Sequence, residues 1–109
     1  MDQLTEDSIE KALEYLNEGA DDAAKARAER IYLEEYRKHL KAIIMCESSI
    51  QPLGAQERNA YADRRYREHL VALKTAVEQD EKHRFLREAA QAKVNAWQTY
   101  CANKRGVRV

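Results

Sequence analysis

The sequence predicts an all-α protein: an antiparallel helical hairpin or bundle with two long helices plus short N-terminal and linking helices. Three observations predict it. Only three glycines and one proline occur in 109 residues, and charged residues make up 35% of the chain, a composition rich in helix formers and poor in breakers. Apolar residues recur at three- and four-residue spacing through two long uninterrupted stretches. The strongest breakers fall together in SSIQPLGA at 48–55, where Pro52 removes a backbone donor and Gly54 permits a turn. One domain, 1–109, is expected for this length.

The first helix is expected over about 5–17. The Thr5 hydroxyl can cap its free N–H groups, Glu6 and Asp7 favour the positive end of the dipole, and Leu4 and Ile9 occupy the two positions of a hydrophobic staple. Ile9, Leu13 and Leu16 form its apolar stripe, and the Asn17–Gly19 stretch ends it. So short a helix must dock on something. The second helix, about 22–48, is expected to be capped by Asp21 or Asp22. Its stripe is Ala26, Leu33, Tyr36, Leu40 and Ile43, with Ile44 alongside. A short linking helix is expected over 55–62, and Asp63 is the natural cap for a long helix over 64–103. On that helix Tyr66, Leu70, Leu73 and Val77 form one stripe. Asp80, Glu81 and Lys82 interrupt it, and it resumes displaced at Phe85 or Leu86, then Ala90, Val94, Trp97 and Cys101. That displacement reads as a stutter. The overhanging end needs cover, because a large apolar side chain left in water forgoes about 1.5–3 kcal/mol. Either the first helix or a second subunit would supply it, and a homodimer is expected. Gly106 is expected to terminate the helix, leaving residues 104–109 as a basic tail.

The two long helices carry near-copies of one pentapeptide, YRKHL from Tyr36 to Leu40 and YREHL from Tyr66 to Leu70. Tyr, His and Leu at i, i+3 and i+4 share a helix face. The simplest reading is one interhelical seam written twice, with Tyr and Leu inward, His at the flank and Arg outward. The two tyrosines should be level if the linker is helical through Asp63, and offset by about a turn and a half if it is not.

Catalysis is not expected. Histidine is the usual acid–base group at neutral pH, but His39, His69 and His83 lack a nucleophile in a suitable setting. The chain has no G-x-S-x-G, no glycine-rich phosphate loop and no H-E-x-x-H. Glu35–His39 and Asp80–His83 have helical contact spacing and read as surface ion pairs rather than metal ligands. No cofactor, metal or small-molecule substrate is implied. Cys46 and Cys101 are isolated and form no metal-like motif; a reducing cytoplasm suits them, and their redox state stays open. No apolar run is long enough to span a membrane, and the acidic N-terminus has no signal-like core.

Net charge is zero but unevenly spread. Residues 1–22 hold Asp2, Glu6, Asp7, Glu10, Glu14, Glu18, Asp21 and Asp22 against Lys11, and no acid follows Glu88. The two ends can attract one another within one chain or between two, or offer an acidic face and a basic tail to other partners. At the C-terminal end Val94, Trp97, Tyr100 and Cys101 make a candidate protein-interaction face. The basic residues Lys104, Arg105 and Arg108 follow, and Arg64, Arg65 and Arg67 form a second cluster. Bases beside aromatics can hold phosphates and stack nucleobases, so these six are the candidate nucleic-acid residues of an alternative reading. Basic residues near a helix C-terminus also simply suit its dipole.

The ending AKVNAWQTYCANKRG, with the long tyrosine- and arginine-rich helix before it, resembles a family of small bacteriophage proteins. In these a long charged helix ends in a Trp followed by Ala–Asn and a basic pair with Gly, here Trp97, Ala102, Asn103, Lys104, Arg105 and Gly106. The resemblance implies a phage or prophage origin and an early-region setting beside recombination and replication functions. It implies no assigned activity and no catalytic residue. The expectation is therefore a non-enzymatic accessory protein in the host cytoplasm that binds a protein of host or phage DNA metabolism or defence, for example as an inhibitor. The alternatives are direct DNA binding in recombination or replication, and a structural assembly component.

Overall fold

The computed structural model describes residues 4–107. Among these it contains four helices and no strand: α1 (Glu6–Glu18), α2 (Ala20–Glu47), α3 (Leu53–Ala62) and α4 (Arg64–Val107). The architecture is all-α, with two long helices running antiparallel and two short ones, as the breaker pattern implies.

Local chemistry sets the helix ends. Thr5 caps α1: its Oγ1 accepts from the Ser8 N–H at 3.1 Å, and the Thr5 N–H donates to Ser8 Oγ at 3.2 Å, a reciprocal capping box. Gly19 separates α1 from α2 while keeping a right-handed helical conformation. A Cβ there would stand 2.7 Å from the Tyr15 carbonyl oxygen, so glycine is required by a close approach. Asp21 and Asp22 lie in the first turn of α2, not at its cap, because α2 starts at Ala20. α3 begins at Leu53, two residues earlier than expected, with Pro52 supplying a preset φ of −58° ahead of it. Gly54 is thus helical, and no described residue has positive φ. The loop is closed instead by Gln56, whose Nε2 donates to the carbonyls of Ser49 and Gln51 at 3.3 and 2.8 Å. Asp63 caps α4 by accepting from the Arg65 N–H at 2.8 Å. α4 continues through Lys104, Arg105 and Gly106 to Val107, so those residues form its last turn and not a tail.

The chain divides into two compact units, Lys25–Asp80 and the pair of segments Met1–Ala24 with Glu81–Val109. In the Lys25–Asp80 unit α2 and α4 run antiparallel. Arg30 pairs with Asp80 at 3.1 Å near one end, and Glu47 with Arg65 near the other. Leu40, Ile44 and Ala60 form the core, with Tyr36, Met45 and Tyr66 packed on it. In the other unit Ile9 and Ala12 of α1 bury against Ala90 and Val94 of α4, joined by Tyr15, Leu16 and Trp97. α1 is therefore the element that covers Val94.

Several faces turn out rotated from the apolar stripes. On α1 Ile9 and Leu16 of the expected stripe pack inward together with Ala12, while Leu13 is 50% exposed. On α2 Ile44 is buried while Ile43 lies outside. Among the buried and half-buried positions of α4, one series runs 66, 69, 73, 76, 80, 83, 87, 90, 94, 97 and 101, with Val77, Glu81 and Lys93 flanking it. That is unbroken 3-4 spacing, so there is no stutter. The seam passes through Asp80, His83 and Arg87, and Leu70, Phe85 and Leu86 fall off it.

The pentapeptides are not equivalent. YRKHL buries Leu40 and exposes His39; YREHL buries His69 and exposes Leu70. The second copy is rotated by one residue, about 100°. Tyr36 lies against His69, ring centroids 5.6 Å apart, so the copies are out of level by about three residues, roughly 4.5 Å. This is less than the turn and a half expected for a non-helical linker, because α3 shortens the loop.

Candidate functional site

The C-terminal part of α4 brings several candidate residues together. Val94, Trp97 and Cys101 follow one another on the seam face, and Tyr100 sits beside them. Trp97 stacks on Tyr100 with centroids 5.7 Å apart and 27° between planes, and Lys104 Nζ stands 6.0 Å from the Tyr100 ring. A shallow groove is lined by Trp97, Tyr100, Cys101, Lys104, Arg105 and Glu6 of α1. Val94 does not belong to this surface. It is a core residue beneath α1, and a partner cannot reach it without displacing that helix. Trp97 and Cys101 are half-buried, leaving Tyr100 as the exposed member.

The nucleic-acid candidates divide between the two units. Arg65 is already occupied. Its guanidinium spans Glu47 (Nη1–Oε2 3.0 Å) and Asp63 (Nε–Oδ1 3.0 Å), tying the end of α2 to the start of α4. Those hydrogen bonds raise the Arg65 pKa and hold both carboxyls below their usual range. Arg64 pairs loosely with Glu68 at 3.4 Å and is well exposed. Arg64, Arg67, Glu68 and Val71 line a second shallow groove. Lys104 and Arg105 are exposed in the last turn of α4, and Arg108 lies outside the described residues.

The carboxylate–histidine pairs do not form. Asp80 bonds Arg30, and Glu35 bonds Lys38 at 3.1 Å. His83 Nδ1 is buried and meets no hydrogen-bond partner. Among the described residues no group of three His, Cys, Asp or Glu stands close enough to hold a metal ion. Both cysteines are free. Among those residues, too, no helix is long and apolar enough to cross a membrane.

Two features escaped the sequence reading. Beside the hairpin turn, Ile50 is 94% exposed and Leu53 and Tyr61 also face outward. The Tyr61 hydroxyl accepts from Lys41 Nζ at 2.8 Å, which is the main reason the Lys41 pKa is raised. The second is an apolar groove between α1 and α4, lined by Ala12, Tyr15, Leu86, Ala89 and Ala90 with Ser8, Lys11 and Lys93 at its edges. Alanines carry almost no hydropathy signal, and the two sides lie far apart in sequence, so no local pattern announces it.

No protein-family model matches the chain, and neither a curated protein nor a solved structure matches it.

Proposed function

We propose that the chain is a non-enzymatic accessory protein whose work is to bind another protein. The observation that carries this is an inversion of side-chain size. Five of the nine buried apolar residues are alanines, and no large side chain among the described residues is fully buried. Meanwhile Ile31, Tyr32, Ile50, Leu53, Tyr61, Val71 and Phe85 are exposed. Single exposed apolar residues are ordinary, but an excess of large ones outside a small-residue core favours surfaces completed by a partner. A second copy of the chain is one such partner. The second kind is a protein of host or phage DNA metabolism or defence in the host cytoplasm, with inhibition as one form of the activity; the resemblance of residues 92–106 to small phage proteins is what favours it.

Affinity capture tests this. The chain and a variant carrying Ile50→Gln, Leu53→Gln and Tyr61→Gln are immobilised and exposed to host lysate, with circular dichroism confirming equal helicity. The expected result is a protein retained by the first and lost by the second. These three exposed residues beside the hairpin turn are the part of the apolar surface assigned to the partner; identical retention, or none, overturns that assignment. Light scattering reads the self-association: a monomer at high concentration removes the homodimer, and large oligomers favour an assembly component.

Direct DNA binding is the second reading, favoured by the Trp97–Tyr100 stack beside Lys104 and Arg105. Saturable binding to labelled single- or double-stranded DNA that fades steeply with salt would support it; no binding at low salt would remove it.

A further inference from the structure

We propose that the groove at the C-terminal end of α4 is a guanine-nucleotide site, open to a free mononucleotide or to a guanine in single-stranded nucleic acid. Such a site rests on the nucleic-acid reading of this end of the chain and adds the base it selects. The groove encloses about 290 Å³, at the small end of the roughly 300–1,000 Å³ of ligand sites. That is room for one base with its sugar, not for a duplex. Tyr100 supplies the stacking surface. One face of its ring rests on Trp97, with centroids 5.7 Å apart and 27° between planes, and Tyr100 is 48% exposed. Trp97 backs the tyrosine and holds it in place for a base arriving on its open side. Stacking alone accepts any base, because each has a π-face.

The polar residues choose among the bases. Glu6, in the first turn of α1, lines the same groove as Lys104 and Arg105. None of the three forms an ion pair among the described residues, so cations and carboxylate do not neutralise one another by direct contact. Both signs of charge are what a nucleotide needs, since it is anionic at the phosphate and presents N–H donors at the base edge. Lys104 and Arg105 suit the phosphate: two full positive charges outweigh the roughly half negative charge of the α4 C-terminus. Lys104 Nζ stands 6.0 Å from the Tyr100 ring, at the limit of a cation–π contact, and its flexible stem can leave the ring for a phosphate. An ionised carboxylate only accepts hydrogen bonds. Guanine alone among the common bases sets two N–H donors, at N1 and N2, side by side on its Watson–Crick edge. Adenine and cytosine set an amine beside an acceptor nitrogen, and thymine and uracil set one N–H between two carbonyls. Guanine is thus the base from which both oxygens of Glu6 can accept.

Trp97 is the only tryptophan, so its fluorescence reads the groove directly. Titrated against the full chain, GMP should quench it with at least roughly tenfold tighter binding than AMP or the pyrimidine nucleotides, the order of one bidentate contact. Glu6→Gln should weaken GMP by about the same factor and strengthen AMP, because a glutamine amide pairs with adenine. A misfolded variant cannot produce that exchange of preference. Tyr100→Ala should weaken every nucleotide. GMP should bind more tightly than guanosine, and Lys104→Gln with Arg105→Gln should erase that advantage. Fluorescein-labelled oligothymidylates carrying one central dG separate the two sources. Tighter binding of the oligomer than of GMP assigns the site to single-stranded nucleic acid, and binding no tighter assigns it to the free nucleotide; either supports the site. Equal affinity for GMP and AMP, no quenching by any nucleotide, or a GMP preference that survives Glu6→Gln overturns the proposal. Oligothymidylates that bind equally with and without the dG, and release as salt rises, would retain the nucleic-acid reading while removing the guanine site.

Discussion

His69 donates a hydrogen bond from Nε2 to the backbone carbonyl of Leu33, 2.7 Å away, across the antiparallel pair α2 and α4. Its counterpart in the first pentapeptide, His39, is exposed and touches only the edge of the Tyr36 ring. The same residue in the same local sequence thus does different work. His69→Ala removes a hydrogen bond worth about 1 kcal/mol and leaves a gap in the seam, for a total of about 2 kcal/mol. His39→Ala should stay within about 0.5 kcal/mol. Urea unfolding of the two variants checks this, and equal losses would contradict the rotated register.

Two glycines should respond to alanine with opposite signs. Gly19→Ala drives a Cβ to 2.7 Å from the Tyr15 carbonyl, so the α1–α2 junction must shift; a loss of about 1–3 kcal/mol is expected. Gly106 has nothing within 4 Å of a built Cβ and sits in the last turn of α4. Gly106→Ala should raise stability by a few tenths of a kcal/mol, because alanine is the better helix former. Thermal melts separate the two.

Arg65 gives the hairpin a defined acid sensitivity. Its hydrogen bonds to Glu47 and Asp63 lower both carboxyl pKa values in the folded chain. A group with a depressed folded pKa stabilises above its unfolded pKa, and that contribution is lost as pH falls through the folded value. The melting temperature should therefore decline from about pH 4.3 downward, where free carboxyls begin to protonate. Arg65→Gln should flatten the acid limb by lowering the melting temperature at neutral pH, only modestly because the groups are partly exposed, and leave the acid end nearly unchanged. A curve of unchanged shape would exclude the bridge as its source.

Ala60 has 0% exposure and packs with Leu40 and Ile44. Ala60→Leu forces extra volume into that contact and should cost about 1–3 kcal/mol. Ile50→Ser, at 94% exposure, should be within about 0.5 kcal/mol. Chemical denaturation of both variants tests whether the interior is made of small residues.

What could be read from the sequence was local. Thr5 and Asp63 cap helices where their side chains suggested, because a cap bonds to residues two or three positions away. Face assignment went astray where two neighbours compete for one position. Leu70 is more apolar than His69, yet His69 is inside, since the Leu33 carbonyl satisfies it from another helix. Asp80 is on the seam because Arg30 answers it; following hydropathy alone steps off to Phe85 and Leu86 and invents a stutter. The cluster of Trp97, Tyr100 and Cys101 was visible from spacing, but the burial of Val94 depended on α1, roughly eighty residues earlier in sequence.

The ion pair between Arg30 and Asp80 also sets the register of α2 against α4. A seam of side chains at regular three- and four-residue intervals is like a ruler without a zero: slid by seven residues, it fits itself almost as well. Asp80, its side chain only 14% exposed, makes any such slide carry a charge away from Arg30, and an unanswered charge is costly. The polar break in the seam is the zero mark that fixes where α2 and α4 stop along one another.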